Sequence, residues 1–313
     1  MDILVTVPLK DHMKKDLAES FPTVTFHYEE ANHELLEKSE VLVTYGNDVN
    51  ESVVERAKNL KWLMVASAGF DNFPLEMIAE RKWLVTNAKG IHKIPMAESM
   101  LAHVLALSKG FPQIYENERQ KVWDRRVPQI EISGQKALIL GPGTIGSEVG
   151  RLLQAFGVYT IGYNRSGKPS PNMDEMIQPD QLLDTLPKVD SVISILPSTP
   201  ETRELWQVEH FEAMKESAVF LNFGRGDFVK EEVVLEALNK EMVRHVVLDV
   251  FEKEPLREES ELWTMPNCTV SPHISSLSNQ YIPRSLDIFK ENLQRYLDGE
   301  KDYVNEVDIL RGY

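Results

Sequence analysis

The chain holds one cysteine, Cys268, among 313 residues. No intrachain disulfide can form, so neither a disulfide scaffold nor an oxidising compartment is indicated. It also lacks any apolar run near the ~18 residues that a helical membrane span needs. Its start, Met1-Asp2-Ile3-Leu4-Val5-Thr6-Val7, has neither the basic opening nor the cleavage site of a secretory signal. A cytoplasmic protein without a membrane partner is expected. Basic residues are in deficit: 34 Lys and Arg face 49 Asp and Glu, a formal net charge of −15. That balance excludes a general affinity for nucleic acid, which needs basic surface. Any anionic ligand must then meet locally clustered cations or backbone N–H groups. Low-complexity segments and internal repeats are also missing, and no metal site is expected.

What is there is an alternation of short apolar runs with helix-like amphipathic stretches. The strand candidates are Ile3–Pro8, Thr23–Tyr28, Val41–Thr44, Trp62–Ala66, Leu84–Thr86, Lys136–Leu140, Thr160–Tyr163, Ser191–Ile195, Ala218–Asn222, Val246–Asp249 and Thr269–Ser271. Several are continuous in Val, Ile and Leu, the pattern of parallel strands covered on both faces. Eleven such runs alternating with helices predict an α/β chain with two doubly wound sheets. A long helix is predicted to start after Pro95, with Met100, Leu101, Val104, Leu105 and Leu107 at helical spacing. The polar, poorly strand-like stretch Gly110–Gly134 reads as an excursion between domains or an oligomer contact. After Pro283, the stretch Arg284–Gly299 reads as a last helix whose end returns to the first domain.

Lys136–Leu140 runs into Gly141-Pro142-Gly143-Thr144-Ile145-Gly146 and then into an amphipathic helix and a second strand. A glycine triplet alone says little, but here it has the strand–turn–helix–strand setting that a dinucleotide-binding loop requires. Gly141 suits the tight turn, Gly143 the approach of a pyrophosphate, and Gly146 the close packing of helix on strand. The helix N-terminus would face the phosphates. An NAD site would place an acidic residue at the end of the second strand to bind the ribose hydroxyls. This chain has Asn164-Arg165-Ser166-Gly167-Lys168 there. Without a repelling carboxylate, and with Arg165, Ser166 and Lys168 able to bind a 2′-phosphate, NADP(H) is favoured and NAD(H) remains possible.

Three further residues follow predicted strand ends, where open α/β sheets bind ligands. Arg225 stands between Gly224 and Gly226, Glu254 lies in Leu248–Leu256, and His273 lies in Ser271-Pro272-His273-Ile274. Taken singly, each has an ordinary structural explanation. Together they match what reduction of a 2-oxo acid needs. An Arg fork orients the carboxylate and polarises the carbonyl. A His near its working pKa protonates the carbonyl oxygen. A carboxylate on that imidazole stabilises its charged form.

These segments resemble the D-isomer-specific 2-hydroxyacid dehydrogenase family. The stretches that carry the resemblance are Gly141–Gly146, Leu196–Leu205, Leu221–Val229, Leu248–Leu256 and Ser271–Ser275, with Ala66–Asn72 and Asn87–Glu98 upstream. The resemblance implies that Arg225 binds and polarises the substrate, His273 is the acid/base and Glu254 its partner. Asp249 would hold the nicotinamide carboxamide, while Thr144, Ile145, Leu196, Pro197 and Asn222 would line the dinucleotide. Backbone N–H groups of Ser67, Ala68 and Gly69 would hold the substrate carboxylate. The implied fold is two Rossmann-like domains with an active-site cleft between them. The substrate-binding, flavodoxin-like domain would take 1–97 with 284–313, and the dinucleotide-binding domain 98–283. A homodimer through the latter is implied, with a small 2-oxo or 2-hydroxy acid of the glyoxylate or hydroxypyruvate type as substrate.

The chain departs from family members in two respects. Asn164-Arg165 replaces the acidic end of NAD-preferring members, and with the last residue at Tyr313 a C-terminal regulatory domain is expected to be absent. Glu254 stands where formate dehydrogenases have glutamine, which argues against formate. The competing reading is a dinucleotide-sensing protein like the co-repressors that resemble this family. A short-chain oxidoreductase would want a Tyr-x-x-x-Lys pair after the cofactor half, and none is suitably placed.

Overall fold

The computed structural model describes residues 1–30, 33–67 and 73–309. Its backbone divides into two compact units, Met1–Ile91 with Ser278–Tyr313, and His92–Leu277. The first is built on β1 (Asp2–Val5), α1 (Asp11–Ser20), β2 (Thr25–His27), α2 (His33–Lys38), β3 (Val41–Thr44), α3 (Glu51–Arg56), β4 (Trp62–Val65), α4 (Leu75–Arg81) and β5 (Leu84–Asn87). These strands form a parallel sheet in the order β2-β1-β3-β4-β5. Its central strands β3 and β4 are buried at every position, as parallel strands covered by helices must be.

The second unit begins with α5 (Lys93–Ser108) and α6 (Phe111–Arg119). It continues through β6 (Lys136–Leu140), α7 (Thr144–Ala155), β7 (Tyr159–Tyr163), β8 (Glu175–Ile177), α8 (Leu182–Thr185), β9 (Ser191–Ser194), α9 (Val208–Ala213), β10 (Val219–Asn222), α10 (Glu231–Asn239), β11 (His245–Leu248) and β12 (Cys268–Val270). The last helix, α11 (Tyr281–Leu297), belongs to the first unit. The seven strands of the second unit are parallel, in the order β12-β11-β10-β9-β6-β7-β8. The order reverses between β6 and β9, where the chain leaves toward β7 on one side and returns on the other. Open α/β sheets bind ligands at such a switch point, beyond the carboxyl ends of the strands.

The twelve strands among the described residues exceed the expected eleven by β8. β8 is three residues long and pairs only with β7, too short to show a period in sequence. Pro95 and Pro283 were expected just before their helices, but each is the third residue of one. First-turn N–H groups have no intrahelical acceptor, so proline costs nothing there. The units divide ahead of Pro95 and Pro283 because whole helices go with one unit. From α5, Met100, Val104 and Leu107 share a core with Val149 and Leu153 of α7. From α11, Leu286, Phe289 and Leu293 enter the core of β1, β3 and β4, where Phe289 lies 5.5 Å from the buried ring of Trp62. Burial of one such side chain contributes on the order of 2–3 kcal/mol. Gly110–Gly134 lies entirely within the second unit. Among the described residues, no helix is long and apolar enough to cross a membrane.

Candidate active site

The glycine loop sits at the reversal of the second sheet. Leu140 is paired with Tyr163 on one side and Ser194 on the other, so Gly141 leaves the sheet between the exits of β7 and β9. Gly141 has φ +89°, a left-handed conformation, and its N–H donates to the Tyr163 carbonyl at 3.1 Å. A Cβ on Gly146 would lie 2.6 Å from the Gly141 carbonyl oxygen, so only glycine lets α7 start this close to β6. Gly143 is different. A Cβ there would meet nothing within 4 Å, and as N-cap of α7 it offers no side chain to the helix N–H groups. Open space before an uncapped twelve-residue helix, whose first residues are Thr144 and Ile145, is the shape a pyrophosphate fits.

Beyond β7, Asn164 builds the turn. Its Oδ1 accepts from the Ser166 N–H at 3.1 Å and hydroxyl at 3.2 Å, and its Nδ2 donates to the Lys168 carbonyl at 2.9 Å. The Gln178 side chain also donates to the Ser166 carbonyl at 3.2 Å. Arg165 and Lys168 stand exposed on this braced turn. Beyond β9, Leu196 is buried and Pro197 exposed.

The turn after β10 is pinned by Asn222, which is fully buried. Its Oδ1 accepts from Gly224 N–H at 3.2 Å and its Nδ2 donates to the Arg225 carbonyl at 3.0 Å. A Cβ on Gly224 would lie 2.4 Å from the Leu196 carbonyl oxygen, and one on Gly226 1.9 Å from the backbone of Phe251. Both glycines are therefore set by close backbone approach. They lock the Arg225 turn against the loops that follow β9 and β11, leaving the Arg225 guanidinium exposed with one N–H on the Gly224 carbonyl at 2.9 Å.

Glu254 and His273 come together. Nδ1 of His273 lies 2.7 Å from Oε2 of Glu254, and the Phe251 N–H fixes the other carboxylate oxygen at 3.0 Å. With Nδ1–H donating to the carboxylate, Nε2 is the nitrogen left to exchange a proton with a substrate. Both side chains are partly exposed. His273 has φ +53°, a left-handed conformation that costs a residue with a Cβ about 1–2 kcal/mol. Asp249 holds it there. This carboxylate, fully buried, accepts from the Ser271 hydroxyl at 2.6 Å, the Ile274 N–H at 3.1 Å and the Ser275 N–H at 3.2 Å. The sequence alone did not reveal this clamp, the Phe251 contact or the steric need for Gly224 and Gly226; the paired serines around His273 and the Gly-Arg-Gly triplet were their visible traces.

Arg225, Glu254, His273, Asp249 and the glycine loop all belong to the second unit. In the first, the Ser67 carbonyl accepts from the Ala88 N–H at 3.1 Å, while Ala68 and Gly69 lie outside the described residues.

Residues 101–275 match the family model described as the NAD binding domain of D-isomer specific 2-hydroxyacid dehydrogenases. A D-3-phosphoglycerate dehydrogenase from Methanocaldococcus jannaschii is 32% identical over 98% of this chain and 60% of its own length. The chain thus spans less than two thirds of that relative. A glyoxylate/hydroxypyruvate reductase B from Escherichia fergusonii is 30% identical over 87% of this chain and 86% of its own. A D-isomer specific 2-hydroxyacid dehydrogenase family protein from Aeromonas salmonicida has a similar structure, with a TM-score of 0.86 at 29% identity, covering 98% of this chain and 99% of that one. Another, from Xanthobacter autotrophicus, was solved with NADPH and MES; it has a TM-score of 0.76 at 26% identity, covering 100% of this chain and 99% of that one. These relatives lend no support to a co-repressor reading.

Proposed function

Because the chain belongs to the D-isomer specific 2-hydroxyacid dehydrogenase family, we propose that it reduces a small 2-oxo acid, of the glyoxylate or hydroxypyruvate type, to the D-2-hydroxy acid. NADPH is the preferred cofactor and NADH a possible one. The observation that carries this reading is the 2.7 Å contact between His273 Nδ1 and Glu254, which leaves Nε2 to serve the substrate.

In this reading the glycine loop takes the pyrophosphate, with Thr144 and Ile145 at the first turn of α7, and the bound nicotinamide supplies a hydride to the carbonyl carbon. Leu196 and Pro197 would line the dinucleotide, and the buried Asn222 and Asp249 would act on it through the loops they hold, Asn222 through the Arg225 turn and Asp249 through the His273 loop beside the carboxamide. The Arg225 fork aligns the carboxylate and draws charge toward the carbonyl oxygen. His273 Nε2 gives its proton to that oxygen, and Glu254 stabilises the imidazolium before and the tautomer after. The family resemblance alone assigns Ser67, Ala68 and Gly69 to the substrate carboxylate. Asn164, Arg165 and Ser166 form the turn that receives the 2′-phosphate, Arg165 supplying the charge. We place the enzyme in the cytoplasm, where its lone cysteine would stay reduced, as a homodimer joined through the exposed face of α6.

The test is a panel of glyoxylate, hydroxypyruvate, pyruvate and 3-phosphohydroxypyruvate, each assayed with NADPH and NADH. The highest kcat/KM is expected for glyoxylate or hydroxypyruvate with NADPH. Failure to turn over any 2-oxo acid overturns the activity; a preference for the phosphorylated acid or for NADH overturns that part alone.

A further inference from the structure

The turn that carries Arg165 has an acidic neighbour across the glycine loop. Tyr163 and Ser194 both pair with Leu140, so the exits of β7 and β9 flank Gly141 at the same level, two strand spacings or about 10 Å apart. From the β7 exit rises the Arg165–Lys168 turn. From the β9 exit runs Leu196–Arg203, which carries Glu201.

This second segment is stiff. The Thr202 hydroxyl accepts from the Thr199 N–H at 2.8 Å and donates to the Pro197 carbonyl at 2.6 Å, and the Thr202 and Arg203 N–H groups both donate to the Thr199 carbonyl at 3.0 Å. Ser198 and Arg203 are in turn fixed to Asp227, at 2.5 and 3.3 Å. Glu201 is exposed on this braced turn. Its carboxyl is held below the usual carboxylate range, first by a hydrogen bond from Thr199, then by its own N–H, with the Arg165 guanidinium adding its field. Arg203 is engaged with Asp227, while Arg165 is the cation among the causes that lower the Glu201 carboxyl. The same guanidinium is the one assigned to a 2′-phosphate.

We propose that Glu201 is a second determinant of cofactor choice, a fixed negative charge that opposes Arg165 at the mouth of the adenosine site and limits the preference for a 2′-phosphorylated dinucleotide. Arriving phosphate gains Arg165 but must also sit in the field of Glu201. A cofactor with a plain 2′-hydroxyl carries no such penalty. The chain therefore stays open to both cofactors although the acidic residue usual at the end of β7 is gone. This inference rests on the assignment of Arg165 to the 2′-phosphate.

The test compares kcat/KM for NADPH and NADH in the wild type, Glu201→Gln and Arg165→Gln. Glu201→Gln keeps the shape and the Thr199 contact and removes the charge. It should raise the NADPH-to-NADH ratio about two- to five-fold, the size of one exposed charge–charge interaction. The gain should lie in the KM for NADPH with kcat unmoved, and should fade at ~1 M salt as screening shortens to ~3 Å. Glu201→Asp should keep the wild-type ratio. Arg165→Gln should lower the ratio about tenfold or more, as for loss of a charge-assisted hydrogen bond. If Arg165→Gln lowers the ratio while Glu201→Gln leaves it unchanged, the role of Glu201 is overturned and that of Arg165 stands. If Arg165→Gln leaves the ratio unchanged, the assignment of the 2′-phosphate is overturned and this inference with it.

Discussion

Asp249 shows how much of the site is set by a residue without exposed surface. A lone buried carboxylate is expensive, and three donors from one short loop repay that cost. The loop they gather includes the left-handed His273, so the price of that backbone is met by its neighbours. Asp249→Asn should expose the arrangement. The new amide group would point a donor at donors already in place, leaving at least one buried N–H unpaired at about 1–3 kcal/mol. His273 then loses its fixed position against Glu254, and kcat should fall about 100-fold, the size expected of a displacement near 1 Å. Steady-state kinetics and circular dichroism check this together. An unchanged kcat in a folded variant would show that the loop does not depend on Asp249.

At the scale of elements, legibility followed length and period. Central strands such as Val41–Thr44 and Lys136–Leu140 begin and end where their apolar runs do. β8 went unseen because an edge strand of three residues has no period to read. Both misplaced helix starts have one cause, since proline marks a first turn as readily as the residue before it. The segment after Gly110 had looked featureless because its helix, α6, buries nothing. Phe111, Ile114 and Tyr115 lie on one face of α6 and are 37–54% exposed, and Trp123 just beyond is 92% exposed. Such a face on one element suits a partner, and aromatic residues supply most of the energy at such contacts. With a second copy as the partner, wild-type protein should sediment as a dimer, and Trp123→Asp combined with Tyr115→Asp as a monomer. A monomeric wild type at tens of micromolar would remove the homodimer from the account.

Across the whole molecule, the acidic balance poses a problem that the fold solves locally. In the proposed reading, a chain of net charge −15 would receive anionic ligands where strand ends gather N–H groups, a helix N-terminus and the fork of Arg225. The five- and seven-stranded sheets, and the reversal between β6 and β9, follow from buried runs and the rules of parallel connection. The residue types of the site were readable because Arg, Glu, His and the glycine triplet each follow a strand. Their mutual placement was not, since it depends on contacts such as Gly226 against Phe251 and Glu254 against His273, which join segments far apart in sequence. The measurement that bears most directly on the central claim is turnover of His273→Ala with glyoxylate and NADPH, beside NADPH binding to the same variant. The account predicts a fall in kcat of about 10²–10⁴-fold, the range for a general acid, with cofactor affinity within about threefold of wild type since no direct contact is lost. Near-normal turnover would contradict it.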